Sequence, residues 1–103
     1  MIELSQDNLN QIINENEKVA VQFGAGWCGS CRLIKPKFKR LATENTDVKF
    51  VYVDAEKFPD SRSLAEVKNL PTFAGYKDGK LVYQSFGNKV EIINKLLDEV
   101  AAN

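Results

Sequence analysis

The sequence predicts an α/β fold in which a mixed central β-sheet is covered by helices on both faces. Apolar runs at residues 18–23 and 48–53 are rich in β-branched and aromatic residues and have the length of buried strands. A helical pattern separates them, and two such strands joined by a helix form a right-handed βαβ unit with parallel strands. Asp78-Gly79 adds a hairpin signal further along the chain. The predicted order is therefore βαβαβ followed by a β-hairpin and a helix.

The N-terminal segment is expected to contain a short edge strand at residues 1–4 and then a helix. Ser5 is placed to cap this helix, and Asp7 would lie in its positive first turn. Leu4 and Leu9 hold the two positions of a hydrophobic staple. The pattern therefore predicts that the first helix is capped by Ser5.

The next helix is predicted from about Trp27 to Glu44. Its buried stripe has helical spacing and consists of Cys31, Ile34, Phe38 and Leu41. Pro36 lies inside the pattern, where a proline removes one helix hydrogen bond and kinks the axis. This helix therefore starts just after the first apolar strand and carries one cysteine on its buried side.

The last third of the chain is predicted to hold a short helix, a hairpin and a final helix. Asp60 is expected to cap the short helix, which runs through Leu64, Ala65 and Val67. Strands at 72–77 and 80–86 flank the hairpin turn. Asn88, with Glu91 three residues later, is a cap pattern for the final helix. The buried stripe predicted for that helix is Val90, Ile93, Leu97 and Val100.

Length and charge limit the possible classes of function. A chain of 103 residues is expected to form one domain, residues 1–103, around a single core. Fourteen Lys and Arg residues balance fourteen Asp and Glu residues, so the net charge favours neither nucleic acid nor an anionic membrane as a partner. Positive charge does collect locally, which fits either a solvated helix face or a docking patch for an acidic partner. The residues concerned are Arg32, Lys35, Lys37, Lys39 and Arg40.

The N-terminal residues indicate the cellular compartment in which the protein is expected. Met1-Ile2-Glu3-Leu4 lacks the basic and apolar regions of a signal peptide, and no apolar run approaches the ~20 residues of a membrane span. If Met1 is native, the expected location is the reducing cytoplasm, and we expect a monomer there. The chain has no histidine, which removes both imidazole metal ligands and the usual general base.

The segment Gly26-Trp27-Cys28-Gly29-Ser30-Cys31-Arg32 holds the only two cysteines and the only tryptophan. Cys28 falls at the junction between strand and helix, and Cys31 lies about one turn further in. Free backbone N–H groups and the helix dipole stabilise an anion at such a junction, and the anion available is a thiolate. This position lowers a thiol pKa and creates a reversible dithiol–disulfide couple. The pattern predicts thiol–disulfide exchange, with Cys28 as the nucleophile and Cys31 as the resolving thiol.

Other interpretations of the two cysteines remain open at this stage. A structural disulfide would close a nearly minimal loop and stabilise little, and such bridges are rare in the cytosol. A second interpretation is that both cysteines are small, unreactive core residues, but the glycine and serine between them indicate an exposed turn instead. A metal or iron–sulfur site would need ligands from two subunits, because one chain supplies two thiolates and no imidazole. A non-catalytic binding module with an idle dithiol is the further alternative.

Residues 21–31 resemble the active-site region of thioredoxins. Further matches follow in order over nearly the whole chain, at Pro36, Asp54, Leu70-Pro71-Thr72, Lys77-Asp78-Gly79 and Gly87. The resemblance implies the thioredoxin fold, with strand order 1-3-2-4-5. It also implies an enzyme that reduces protein disulfides through a mixed disulfide, with no cofactor other than the redox-active Cys28–Cys31 disulfide and no metal. The implied electron donor is a flavin- and NADPH-dependent thioredoxin reductase.

The resemblance also implies a set of residues that shape the substrate site. They are Trp27, Gly29, Ser30, Leu70, Pro71 and Gly87. Trp27 would shield one side of the Cys28 thiol and offer an apolar contact. Leu70 would pair its backbone with the bound substrate, Pro71 would be cis, and Gly87 would flank the groove.

Four positions depart from the family's pattern. Ser30 replaces the proline that is usual between the cysteines, and Gln22 replaces a buried aspartate that handles a proton for the resolving thiol. Phe50 stands where that aspartate often has a lysine partner. Gly24 replaces an aromatic residue, which is expected to leave the surroundings of the site less filled. These changes leave room for a dedicated redox partner, an oxidant or an isomerase rather than a general-purpose thioredoxin.

Overall fold

A mixed five-stranded sheet lies at the centre of the computed structural model, which describes residues 1–102. In chain order the elements are β1 (Ile2–Glu3), α1 (Leu9–Glu15), β2 (Lys18–Gly24), α2 (Gly29–Glu44), β3 (Lys49–Asp54), α3 (Pro59–Arg62), β4 (Thr72–Lys77), β5 (Lys80–Phe86) and α4 (Val90–Ala101). The strand order is β1-β3-β2-β4-β5, as the resemblance implied. β1, β3 and β2 are parallel, whereas β4 and β5 each run antiparallel to the preceding strand in the sheet.

The central strand β2 delivers the chain to the cysteines. It pairs with β3 on one side and with β4 on the other, and every residue from Val19 to Gly24 is buried. A strand covered on both faces needs such a continuous apolar run, so the sequence pattern identified it correctly. β2 and β3 end at the same edge, where Ala55 N donates a hydrogen bond to the Gly24 carbonyl oxygen at 2.8 Å. The strand-to-helix junction lies at this edge.

Helices cover both faces of the sheet, as predicted, and each face has its own apolar core. The face covered by α1 and α3 buries Leu9, Ile13, Val19, Val21, Phe23, Val51, Val53, Phe58 and Val67, among others. The face covered by α2 and α4 buries Ala20, Ile34, Phe38, Phe50, Phe73, Ile93, Leu96 and Val100, among others. Because side chains alternate along a strand, Gln22 points to the same face as Ala20, which is the side of α2. None of the helices within residues 1–102 is both long enough and apolar enough to cross a membrane.

The prediction that Ser5 caps α1 is wrong. The helix begins at Leu9, with Asn8 as its N-cap residue and no side-chain hydrogen bond at the cap. The Asp7 carboxylate accepts hydrogen bonds from the backbone N–H groups of Asp60 (3.0 Å) and Ser61 (2.7 Å) in α3. In return, Ser61 Oγ accepts a hydrogen bond from Leu9 N at 3.1 Å. The polar residues before α1 thus connect two helices that are distant in sequence.

Two other helix starts differ from the prediction. α3 spans only Pro59–Arg62, so Asp60 lies in its first turn rather than at the cap. α4 has Lys89 as its N-cap residue, so Asn88 lies one residue outside the helix and makes no capping hydrogen bond. The buried stripe of α4 consists of Ile93, Leu96 and Val100, and Leu97 is only half-buried. The cap patterns in the sequence therefore predicted that these helices exist but not the residues at which they begin.

The hairpin agrees with the prediction residue by residue, whereas the long helix agrees only at its C-terminal end. Asp78 and Gly79 have φ values of 51° and 82°, which is the geometry of a type I′ turn, and β4 and β5 end where the pattern placed them. α2 begins at Gly29 rather than at Trp27 and continues past Pro36 to Glu44.

Candidate active site

Cys28 and Cys31 form a disulfide at the start of α2. Cys28 is the N-cap residue, with extended backbone, and its N–H donates to the Ala25 carbonyl oxygen at 3.1 Å. The Cys31 N–H donates a hydrogen bond to Cys28 Sγ at 3.2 Å, and the Arg32 N–H donates to the Cys28 carbonyl oxygen. The Cys28 sulfur therefore takes the place that a serine or aspartate oxygen occupies in an ordinary N-cap. When the disulfide is reduced, this geometry stabilises a thiolate at Cys28.

The two sulfurs differ in accessibility. Cys28 is 6% exposed, whereas Cys31 is fully buried on the sheet side of α2. The neighbouring Trp27 is 68% exposed, although it is the largest side chain in the segment. An incoming disulfide can therefore reach Cys28 but not Cys31.

A groove lies beside the disulfide and contains two of the predicted site residues. It has a volume of about 410 Å³ and is lined by Trp27, Glu56, Arg62, Lys68, Asn69, Leu70 and Phe86. The structure thus brings together Trp27, next to Cys28, and Leu70, next to Pro71. Sequence reasoning missed Phe86, which is 62% exposed, although its position directly before Gly87 was a usable signal. It also missed Arg62 and Lys68, because nothing local connects them to the cysteines.

The loop that contains Pro71 lies beside the groove, next to the end of β5. The Leu70–Pro71 peptide bond is cis. The Gly87 N–H donates to the Pro71 carbonyl oxygen at 3.0 Å, which fixes the loop to the end of β5. Within residues 1–102, neither the N–H nor the C=O of Leu70 has a backbone hydrogen-bond partner. Both groups are therefore available to an extended chain.

Gly87 has a conformational requirement of its own. Its φ is 136°, in the region that favours glycine, and a Cβ there would lie 2.8 Å from Ile92 Cδ1. Gly29 differs, because a Cβ at that position would meet no atom within 4 Å. Gly29 and Ser30 are both exposed in the first turn of α2, and neither lines the groove.

Gln22 lies behind the disulfide, fully buried on β2. Its Nε2 donates a hydrogen bond to the Cys31 carbonyl oxygen at 3.2 Å. Its Oε1 is buried and has no hydrogen-bond partner within the described residues. A buried amide can position the first turn of α2, but it cannot take up or release a proton.

Side chains that could serve as metal ligands are not clustered in the described part of the chain, apart from the two cysteines. Within residues 1–102, no three His, Cys, Asp or Glu side chains lie close enough together to hold a metal ion. The two sulfurs bond to each other instead.

A family model for thioredoxin matches residues 1–99. The chain belongs to the thioredoxin family. Thioredoxin H2 of Arabidopsis thaliana is 34% identical over 97 residues, which cover 94% of this chain and 73% of that protein. Thioredoxin of Gallus gallus is 38% identical over 79 residues, which cover 77% of this chain and 75% of that protein.

Solved thioredoxin structures superimpose on most of the chain. Oxidised thioredoxin from Plasmodium falciparum has a TM-score of 0.87 and 30% identity, and the match covers 99% of both chains. Thioredoxin from Fasciola hepatica has a TM-score of 0.87 and 34% identity, with 96% of this chain and 99% of that one covered. This member of the thioredoxin family is therefore a thiol–disulfide oxidoreductase, and Cys28–Cys31 is its redox-active pair.

The departures from the thioredoxin pattern have structural consequences. Phe50 packs against Phe38 of α2 with a ring-centroid distance of 4.8 Å, and Phe38 in turn lies 5.6 Å from Phe73. An aromatic cluster thus occupies the region where other thioredoxins often have a buried lysine. Together with the neutral Gln22, it leaves this face of the sheet without the aspartate–lysine pair.

The expectation that Gly24 leaves the site less filled is wrong. The Tyr52 ring from β3 lies over Gly24, and a Cβ at residue 24 would overlap the Tyr52 hydroxyl. Lys35 Nζ lies 4.1 Å from the centre of the Tyr52 ring, which holds the ring in place from the side of α2. Burial, and then the charges of Asp54 and Glu3, raise the pKa of Tyr52, so its hydroxyl stays protonated at neutral pH. An aromatic side chain is therefore still present, but it comes from the neighbouring strand.

Proposed function

We propose that this protein reduces disulfides of protein substrates, with Cys28 as the attacking thiol and Cys31 as the resolving thiol. One observation supports this assignment above the others: Cys28 is the partly accessible N-cap residue, and its sulfur accepts the Cys31 N–H, whereas Cys31 is fully buried. A thiolate at Cys28 is therefore both stabilised and reachable.

The reaction has two exchange steps. The Cys28 thiolate attacks one sulfur of the substrate disulfide, forms a mixed disulfide and releases the first substrate thiolate. Cys31 then loses its proton and attacks the Cys28 sulfur, which re-forms the Cys28–Cys31 bond and releases the second substrate thiolate. Two electrons pass from the protein to the substrate. Because Gln22 cannot accept a proton, the Cys31 proton goes to water or to the departing substrate thiolate.

The groove gives the substrate its orientation. Trp27, Leu70 and Phe86 provide apolar contacts beside Cys28, and the free backbone groups of Leu70 can pair with an extended segment that carries the disulfide. Such pairing holds the sulfur of the substrate in line with the Cys28 sulfur while the rest of the segment stays solvated. The proposed substrates are therefore disulfides in extended or exposed segments.

A donor must return two electrons to the oxidised pair after each turnover. We propose a thioredoxin reductase as that donor, which supports a role in electron transport and in cellular redox balance. We propose the cytoplasm as the compartment, because the chain has no cysteines other than the redox pair and so no structural disulfide.

Coupled reduction of insulin disulfides tests the proposal. The assay combines NADPH, a thioredoxin reductase, the protein and insulin, and follows NADPH oxidation together with insulin precipitation. We expect both signals with the wild-type protein and neither with Cys28→Ser. If the chemically reduced wild-type protein also leaves insulin intact, the protein is a binding module with an idle dithiol and the proposal is wrong.

A further inference from the structure

The helix that carries the redox pair has an unusual charge distribution. The protein as a whole is neutral, with fourteen basic and fourteen acidic residues. α2 nevertheless contains five basic residues and a single acidic residue, Glu44, at its last position. We call the five basic residues the basic face: Arg32, Lys35, Lys37, Lys39 and Arg40. The basic face starts one residue after Cys31.

The basic face forms two rows along the solvent side of α2. One row contains Lys37 and Arg40, which lie four and seven residues after Leu33 on the same side of the helix, and all three residues are exposed. Leu33 is 74% exposed, although it is a large apolar side chain. The other row contains Arg32, Lys35 and Lys39, which line a cavity of about 460 Å³ together with Met1, Glu3 and Pro36.

Most of this positive charge is not neutralised by the protein itself. Lys35 forms an ion pair with Glu3 at 2.5 Å. Within residues 1–102, the other four members of the basic face have no ion pair. Hydrogen bonding from Lys35, with further help from the charges of Lys35 and Lys39, lowers the pKa of the Glu3 carboxyl. The field of the basic face therefore favours a carboxylate placed beside it.

The start of β2, at the opposite end of the strand from the redox pair, carries charges of both signs. Glu15, Glu17 and Asp78 line one cavity near the start of β2, whereas the end of β2 leads to the redox pair. Lys18, Lys77 and Lys80 are neighbours in the sheet register at that end, so basic residues accompany the acidic ones there, whereas four of the five residues of the basic face have no ion pair within residues 1–102. Such unpaired charge orients an incoming charged partner and raises its association rate by a factor of about 10 to 1,000.

We propose that the basic face is a docking surface for an acidic segment of the partner whose disulfide reacts with Cys28. The proposal rests on the proposed function, because only a partner with a disulfide gains from docking beside the redox pair. Charge complementarity selects an acidic segment, and exposed Leu33 adds one apolar contact next to the cysteines. The surface is also continuous with the site of reaction, since both belong to one helix.

The geometry of α2 sets the distance between the basic face and Cys28. With a rise of 1.5 Å per residue, Lys37 and Arg40 lie about 14 and about 18 Å along the axis from Cys28. An extended peptide spans that distance with about four to six residues. The acidic residues of a fitting partner therefore lie about that far in sequence from its reactive cysteine.

Synthetic peptides of defined charge test the proposal. Each peptide contains a loop closed by a disulfide between two cysteines. A flexible spacer of about five residues joins this loop to a tail of either glutamates or lysines. The tail is placed N-terminal to the loop in one set of peptides and C-terminal to it in another. The pre-reduced protein is mixed with each peptide, and acid-quenched chromatography gives the second-order rate constant. Hydroxyethyl disulfide serves as a neutral substrate that is too small to reach the basic face.

Matched charge reversals separate local docking from net charge. The test variant is Lys37→Glu/Arg40→Glu, and the control variant is Lys49→Glu/Lys80→Glu, which changes the net charge equally at exposed positions on β3 and β5. Circular dichroism checks that both variants are folded.

We expect the wild-type protein to reduce a glutamate-tailed peptide at least about tenfold faster than the lysine-tailed one at low ionic strength, with the difference shrinking at high salt. The test variant should lose this preference, and the control variant should keep it. All three proteins should reduce hydroxyethyl disulfide equally fast. Equal rates for the two tails, or equal loss in the control variant, would overturn the docking proposal alone. If the wild-type protein fails even with hydroxyethyl disulfide, the proposed function fails, and the docking proposal with it.

Discussion

Gln22 Nε2 donates a hydrogen bond to the Cys31 carbonyl oxygen, and this contact joins the central strand β2 to the first turn of α2 behind the disulfide. The Gln22 side chain is fully buried, and its Oε1 has no partner within the described residues. Gln22 therefore makes a structural contact but cannot take up or release a proton. Both properties can be tested by replacing the amide with an acid.

Gln22→Asp should make stability depend on pH, with Gln22→Asn as the matched control of the same size. Burial raises the pKa of a carboxyl group at this position, so the folded state holds the proton more tightly than the unfolded state, whose pKa is about 4. Stability is then lost as pH rises above about 4. We expect the aspartate variant to be less stable than the asparagine variant by about 1–3 kcal/mol near pH 7, and by much less near pH 4. Denaturant unfolding of the oxidised proteins measures both differences.

The same pair of variants tests proton transfer. A buried aspartate can accept the Cys31 proton, so the Asp variant should resolve mixed disulfides faster than the Asn variant near neutral pH. An equal stability difference at the two pH values would mean that residue 22 is not buried as described. The proton-transfer argument would then fail as well.

Much of the fold follows from local patterns in the sequence. β2 was identified by its apolar run, and β4 and β5 by the Asp78-Gly79 turn, because a two-residue turn with two positive φ values defines where both strands end. The redox pair was found from its spacing at the start of a helix. These features depend on residues that are close together in the chain.

Several features that the sequence does not predict depend on contacts between distant segments. Asp7 was assigned to the first helix, but its carboxylate accepts N–H groups more than fifty residues away. Tyr52 fills the space over Gly24 from the neighbouring strand, and Phe86 lines the same groove as Trp27. No local pattern distinguishes an Asp that caps its own helix from one that caps another.

Asp7→Asn should destabilise the protein in a pH-dependent way. Hydrogen bonding with Ser61, together with the backbone N–H group of Asp60, lowers the pKa of the Asp7 carboxyl. Its contribution is therefore present above the unfolded pKa of about 4 and is lost as pH falls through the lower folded value. We expect the stability difference from wild type to be largest near pH 7 and to narrow toward about pH 3 in thermal unfolding. Asp47→Asn, which removes only an exposed pairing to Lys18 at 3.5 Å, should show no comparable trend.

Gly24→Ala should be destabilising because the new Cβ overlaps the Tyr52 hydroxyl. Overpacking of this kind costs about 1–3 kcal/mol. In a Tyr52→Phe background the cost should fall but not vanish, since two Tyr52 ring carbons would still lie 3.0 Å from the Cβ. A double-mutant cycle by chemical denaturation measures the coupling. Strictly additive effects would show that Tyr52 does not occupy the space over residue 24.

Ser30→Pro should lower the reduction potential of the Cys28–Cys31 couple by tens of millivolts. Ser30 is the second residue of α2, where a proline is tolerated because the backbone N–H has no partner within the helix. The substitution removes a hydroxyl that can donate to the thiolate, and so destabilises the reduced form; about 30 mV corresponds to 1.4 kcal/mol. Ser30→Ala is the control that removes the hydroxyl without restricting the backbone. Equilibration with glutathione gives the potentials, and an unchanged or higher value for the proline variant would refute the argument.

The assignment of the two thiols is most directly tested by trapping. Cys31→Ser and Cys28→Ser are each reduced, mixed with insulin, quenched with acid and analysed by mass spectrometry for a covalent adduct. Cys28 is the partly exposed N-cap residue and Cys31 is buried, so their products should differ. We predict that Cys31→Ser accumulates a mixed disulfide through Cys28 and that Cys28→Ser forms none. Equal adducts from both variants, or an adduct from Cys28→Ser alone, would contradict the assignment.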